Sequence, residues 1–277
     1  MSALSDLRES RELVVNLTLR EIRGKYKRTV LGQTWSLVNP LAAMLIYTVV
    51  FRYLLRVEPE AGQPSGLNVF ALWLMCGLLP WTFFNSVVNA GMSSLVNDAN
   101  LIKKVWFPRE AVVISASLSW LFSHVIEMVV LAIVLTLFGA FVLPWLPLVA
   151  LAILLLLAFG VGVALMLAIA NVYFRDTQHF VGIGMQMWFY LTPVLYPVAY
   201  VETQAEKLAS AGSSFPLLTL YRLNPMERFV QVFRSLLYDN TWPAVSDVIF
   251  CTVVSVTSLG LGYWVFKRYE ARIAEEL

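Results

Sequence analysis

Leu146–Tyr173 reads LPLVALAILLLLAFGVGVALMLAIANVY, and none of its residues is charged. A helix crossing the ~30 Å hydrocarbon layer needs about 20 apolar residues, so this run alone predicts a membrane span. Gly160, Ala164 and Ala168 stand at four-residue intervals within it, and Ser258 and Gly262 share that interval near residue 260. Such spacing lets helix backbones approach closely. Working outward, further apolar runs at 35–56, 68–90, 112–141, 180–200 and 244–266 are each long enough to cross. The expectation is an all-α integral membrane protein with six spans. Composition agrees: 59% of residues are hydrophobic, 14% are charged and the mean hydropathy is +0.71, too few charges to clothe a soluble domain.

The first 30 residues carry charge instead of a short apolar stretch ahead of a cleavage site, so no removable signal peptide is expected. Cys76 and Cys251 each fall inside a predicted span and read as buried thiols. Short cytoplasmic segments carry the excess of Lys and Arg. With the N-terminus inside, Arg20, Arg23, Lys25, Lys27, Arg28, Lys103, Lys104, Arg109, Arg175, Lys267 and Arg268 all fall on the cytoplasmic side. Both termini are thus expected in the cytoplasm, in a multi-pass protein of the cytoplasmic membrane. The chain divides into a basic segment at 1–34, one six-span domain at 35–266 and a short tail at 267–277.

Within 1–34, Val15, Leu19, Ile22, Tyr26 and Val30 recur at helical spacing among basic residues. This predicts an amphipathic helix lying on the inner membrane surface, or one packed on a partner. Its charge would favour anionic headgroups or a lipid diphosphate. In the coupling segment 95–108, Asn97 or Asp98 can cap a short helix ending before Pro108, with Leu101, Ile102 and Val105 as an apolar stripe that would face a partner or the bilayer surface.

In the third run, Ser115, Ser117, Ser119 and Ser123 precede His124 and Glu127, which share a helical face. Ionisable groups at that depth face the bundle interior. A polar contact between helices outweighs a proton relay or a metal site. The fifth run holds Trp188, Tyr190, Tyr196 and Tyr200, an interfacial belt or a path for sugar rings, and Pro193 and Pro197, which should end its helix. Beyond it, 201–243 is an outer region with an apolar stretch at 215–223. There Asn224-Pro225-Met226-Glu227 supplies a capping residue, a proline at the first helical position and an acidic third, which suggests a re-entrant hairpin.

No Gly-x-x-x-x-Gly-Lys-Ser/Thr loop is present, since Gly24-Lys25 is followed by Tyr26. Motifs for zinc hydrolysis, a serine nucleophile elbow or paired cysteines are also missing. Basic residues flank membrane runs instead of forming a stripe, so nucleic acid is not an expected ligand. The chain therefore reads as a non-enzyme that depends on an outside energy source.

Four separated motifs carry a family resemblance. Arg20-Glu21-Ile22-Arg23-Gly24-Lys25-Tyr26-Lys27, with Leu31-Gly32, Trp35 and Asn39-Pro40-Leu41, is the first. Then come Leu101-Ile102-Lys103-Lys104-Val105 with Phe107-Pro108-Arg109-Glu110, Asn171-Val172-Tyr173-Phe174-Arg175-Asp176, and Thr192-Pro193-Val194-Leu195-Tyr196-Pro197. Over about residues 12–266 the chain resembles the membrane permeases of polysaccharide ABC exporters; 201–214 matches no pattern of that family. The resemblance implies two permease copies and two separate subunits that bind ATP and Mg, with no cofactor in this chain. The cargo would be an O-antigen, teichoic acid, capsule or galactan on a polyprenyl diphosphate lipid. By the same likeness, Leu101, Ile102, Lys103, Lys104, Val105, Phe107 and Pro108 would dock on the ATPase, with Arg175 and Asp176 as a second contact. Arg20, Arg23, Lys25, Tyr26, Lys27 and Arg28 would gate the lipid diphosphate. Tyr47, Phe51, Trp188, Tyr190, Tyr196 and Tyr200 would line the glycan path. Competing readings are a permease for small drugs or lipids, a membrane-embedded glycosyl or acyl transferase using His124 and Glu127, and a scaffold without transport.

Overall fold

In lipid a backbone can satisfy its own polar groups only within helices or closed barrels, and the long apolar runs become helices. The computed structural model describes residues 3–25, 27, 29–57, 61–105, 107–210, 216–270 and 273–276; side chains are described from residue 11 onward, apart from those of 274 and 275. Helix α1 is Ala3–Lys25, α2 Trp35–Tyr47 with a π-helical continuation Thr48–Leu54, and α3 Phe70–Asn97. Next come α4 Ala99–Lys104, α5 Glu110–Leu137, α6 Leu146–Tyr173 and α7 Thr177–Leu191. The outer region holds α8 Val198–Ser210, α9 Leu217–Arg222 and α10 Pro225–Arg234, with a π-helical turn Ser235–Asp239. The chain continues through α11 Val245–Tyr269 to α12 Ile273–Glu276.

Among the described residues, five stretches are long and apolar enough to cross a membrane: Gly32–Leu54, Phe70–Asn97, Glu110–Leu137, Leu143–Tyr173 and Val245–Tyr269. The protein is an all-α, multi-span membrane protein. The run at 180–200 contributes α7, whose 15 residues extend about 22 Å at 1.5 Å per residue, short of the hydrocarbon thickness. Its helix stops at Leu191 because Pro193 and Pro197 lack backbone donors.

At the centre stands α3, packed between α5 and α6, while α6 also packs on α11. Of the apolar window of α3, 78% is buried, against 6% for the span that α2 begins. The small residues of α6 serve two neighbours. A side chain at Gly160 would meet Val87 of α3, and Ala164 already sits where a side chain at Gly91 would project. Gly162, on the other face, meets the backbone of Ser258 and Gly262 in α11. There the Ser255 and Ser258 hydroxyls donate across the interface to the carbonyls of Leu155 (2.8 Å) and Phe159 (3.1 Å). The tightest approach is therefore at Gly162, not on the Gly160–Ala164–Ala168 line.

The basic helix α1 packs along α5, burying Leu17 and partly burying Leu13 and Val14. Val15 and Leu19 remain exposed, and Val30 lies beyond the end of the helix at Lys25. The helix thus has an apolar edge on its own bundle and another facing outward. Tyr26 and Arg28 lie outside the described residues, as does Trp106.

Candidate functional site

The site begins where α3 ends. Asp98 follows its last turn and stands at the N-cap position of α4, but its carboxylate does not cap that helix. It accepts instead from the guanidinium of Arg20 on α1, which also donates to Glu21 at 2.9 Å. A capping residue read from sequence is thus a tie between α1 and α4. On α4, Lys103 and Lys104 are exposed and Val105, just after it, is 53% exposed. Ile102 is buried within the chain and Leu101 half-buried, so the expected stripe is not a free face: it narrows to Val105 and the edge of Leu101. Phe107 and Pro108 are half-buried. Arg175 and Asp176 are exposed on the turn joining α6 to α7 beside Phe174. Lys267 at the end of α11 bridges Glu110 (2.7 Å) and Glu270 (3.0 Å), which locks that end to the start of α5.

Lys25, in the last turn of α1, turns into a cavity of about 320 Å³ lined also by Asn85, Trp120, His124 and Glu127. Its Nζ lies 3.2 Å above the centre of the Trp120 ring and has no hydrogen-bond partner. Burial pushes this ammonium down to about 8, against the pull of Glu127 and Glu21. His124 stacks on Phe83 of α3 with ring centres 4.2 Å apart, and its Nδ1 is 3.5 Å from the Glu127 carboxylate. His124 thus meets α3 by ring stacking, and its ring nitrogens make no hydrogen bond to that helix. Among the described residues no group of three His, Cys, Asp or Glu side chains could hold a metal ion. Arg23 and Lys27 are exposed.

The aromatic residues separate into two sets. Tyr47 touches Phe51 (6.3 Å) and Phe189 (6.1 Å), and Tyr190 and Tyr200 are exposed. Trp188 instead packs inward against Trp81 (6.1 Å) and Phe84 (5.3 Å) and donates to the Asn224 side chain at 2.7 Å. Tyr196 donates to the Tyr190 carbonyl (3.0 Å) and accepts from the Tyr221 hydroxyl (3.2 Å). Beside Tyr47 lies a groove of about 350 Å³ between α2, α3 and α7, floored by Trp81, Thr82, Asn85, Asn89 and Gln186. Sequence reasoning missed these residues. The signal was present, because Thr82, Asn85, Asn89 and Ser93 form a polar stripe at helical spacing in an apolar run.

Asn224 caps α10 as its sequence implies, accepting from Met226 N at 3.0 Å, and its amide also donates to Thr192 Oγ1 at 3.0 Å. One side chain therefore starts α10 and holds the end of α7. Glu227 in the first turn of α10 is buried and sits 3.3 Å from Arg228, which also pairs with Asp247 of α11. Burial pushes the Glu227 carboxyl up from 4.5 to about 7; Asp247 and Glu202 add to the rise, while Arg228 and Arg222 oppose it. Because the folded state holds this proton more tightly than the unfolded state, its stabilisation is complete below 4.5 and lost as pH rises through about 7. Thermal unfolding of the purified protein should therefore show stability falling across that window. Glu227→Gln should flatten the fall and leave the protein more stable than wild type at pH 8. An unchanged slope in the variant would assign the pH dependence to other groups.

A family model described as ABC-2 type transporter matches residues 12–238. Among curated proteins, the chain is 26% identical over 272 residues to the O-antigen export system permease protein RfbA of Myxococcus xanthus, covering 98% of each chain. It is 27% identical to the RfbA protein of Klebsiella pneumoniae, with 96% of this chain and 95% of that one covered. It is also 24% identical over 198 residues to the polysialic acid transport protein KpsM of Escherichia coli, covering 68% of this chain and 71% of that one.

Proposed function

The chain belongs to the ABC-2 type transporter family, and on that premise we propose that it is the permease of an ATP-driven exporter of a lipid-linked cell-surface polysaccharide. The end-to-end match to permeases named for O-antigen export carries this reading. The absence of a phosphate-binding loop from the sequence supports a division of labour in which partner subunits bind ATP and Mg. The cargo of this reading is a glycan on polyprenyl diphosphate.

In the proposed topology both termini are cytoplasmic and the chain crosses six times. The fifth crossing is α7 extended by the Thr192–Pro197 turn, with α8 to α10 as a re-entrant cover on the outer side. A second copy meets this one along the exposed faces of α2, α7 and the start of α8, where Tyr47, Phe51, Tyr190 and Tyr200 line the glycan path. Trp188 and Tyr196 support that wall from behind. Two ATPase subunits dock on Lys103, Lys104, Val105, Phe107 and Pro108, with Arg175 and Asp176 as the second contact. Closure of the ATPases then displaces α4. The Arg20–Asp98 pair supports direct transmission of this movement to α1, a rigid-body coupling that needs no chemistry in the chain. The exposed Arg23 and Lys27, with Lys25 behind them, would meet the lipid diphosphate as α1 moves.

Val105→Asp tests the docking face without touching the core, since Val105 is exposed. Co-purification with the ATPase subunit of the same cells should fall about tenfold or more, the loss seen when a central interface contact worth over 1.4 kcal/mol is removed. Undiminished association would move the docking face away from α4. If the wild type brings down no ATPase, the exporter reading fails.

A further inference from the structure

A second polar cavity, of about 620 Å³, opens between Trp73 of α3, the start of α8, helix α10 and the first turn of α11. It shares no lining residue with the groove between α2, α3 and α7, so the two are distinct cavities. Two of its lining groups are more than nine-tenths buried: Glu227, whose Oε2 is ion-paired with Arg228 Nε at 3.3 Å, and Arg234, whose Nε has no hydrogen-bond partner. Leaving a buried charged donor such as Arg234 Nε dry and unpaired is costly, which points to an occupant.

The lining chemistry restricts that occupant. Arg228 is neutralised by Asp247 and Glu227, and Arg222 pairs with Glu202 at 3.1 Å. An anion would therefore face the carboxylates of Glu227 and Asp247, and a cation the guanidiniums of Arg228 and Arg234. What remains is an acceptor at Glu227, a donor at Arg234 and both at the Gln231 amide, beside the aromatic wall of Trp73. A neutral molecule bearing several hydroxyls matches this mixture, because each hydroxyl both donates and accepts. The cavity falls within the usual ligand-site range of about 300–1,000 Å³. We propose that it is a sugar-binding subsite on the outer side, distinct from the groove between α2, α3 and α7, holding part of the exported glycan. This inference rests on the polysaccharide reading above.

The test uses the full chain in nanodiscs and saturation-transfer NMR, with the methyl glycosides of glucose, galactose, mannose and N-acetylglucosamine as probes. At least one glycoside should bind wild type. Its affinity should fall about tenfold, or roughly 1.4 kcal/mol, in Ala244→Trp, which fills the cavity from an exposed position, and in Gln231→Ala. An unchanged unfolding temperature would show that both variants are folded. Failure of every glycoside to bind wild type, undiminished binding in both folded variants, or displacement by inorganic phosphate would each overturn the subsite. Neither substitution lies near α4, so the ATPase association reads the exporter assignment independently. A negative sugar result with intact association removes only this site.

Discussion

Replacing Gly162 with leucine is expected to abolish recovery of folded protein. A Cβ at this position would collide with the carbonyl carbon and oxygen of Ser258, and one at Gly262 would strike the Gly162 carbonyl in return. Backbone atoms cannot rotate aside as a side-chain tip can, so α6 and α11 would have to separate. Separation breaks the bonds from Ser255 and Ser258 to the carbonyls of α6. Overpacking of this kind costs about 3 kcal/mol or more. Gly260→Ala is the matched control, because nothing lies within 4 Å of a Cβ there, and alanine gains up to about 1 kcal/mol over glycine in a helix. Size-exclusion profiles of detergent extracts should show the leucine variant aggregated and the alanine variant unchanged. A monodisperse leucine variant would mean that the two helices can repack at a wider spacing.

Arg234→Met should lower stability by about 3 kcal/mol, the cost of breaking a buried charged contact by removing one partner. Arg234 is 3% exposed and reaches from α10 to the turn after α7, donating to the carbonyls of Pro193 (2.7 Å) and Val194 (2.9 Å). Its guanidinium carbon lies 3.6 Å from the centre of the Trp73 ring. Methionine would fill the space and keep the apolar contact, but two carbonyls would lose their donors, each worth about 1–3 kcal/mol when buried. Relief from burying a charge offsets part of that loss. Lysine, with one charged nitrogen in place of a planar fork, should fall between the two. Unfolding temperatures in the same detergent give the order, and a methionine variant as stable as wild type would show that desolvation cancels the contacts.

Five of the six apolar runs were legible as spans among the described residues, because the bilayer imposes one rule on each that length with composition satisfies, whereas the run at 180–200 gives a helix of only 15 residues. Two local signals held for the same kind of reason: Pro193 and Pro197 stop α7, and Asn224 caps α10. Tertiary choices were less visible. Asp98 has the chemistry of a cap, but Arg20, distant in sequence, supplies a charged donor that competes for the same carboxylate. Ile102 looks like part of a partner-facing stripe until its own bundle covers it. Likewise, the four-residue interval in α6 identifies a smooth helix face without indicating that Gly162, on another face, makes the closest approach. The family resemblance places Trp188 on the glycan path, whereas its indole N–H donates inward to Asn224. For Asp98, Gly162 and Trp188, the deciding partner lies far along the chain.

In the Gly32–Leu54 span only 6% of the apolar window is fully buried by its own chain, and its contacts with the core are partial ones, through Ala43, Met44, Tyr47 and Phe51. Less of the free energy that fixes its position comes from within one copy than for α3. Under the dimer proposed above, seating of α2 and pairing of two copies are one equilibrium, governed by mass action in two dimensions. Dilution with added lipid then acts as a denaturant for this one helix, while α3, α5, α6 and α11 keep their packing. The geometry of the path becomes a function of how crowded the bilayer is.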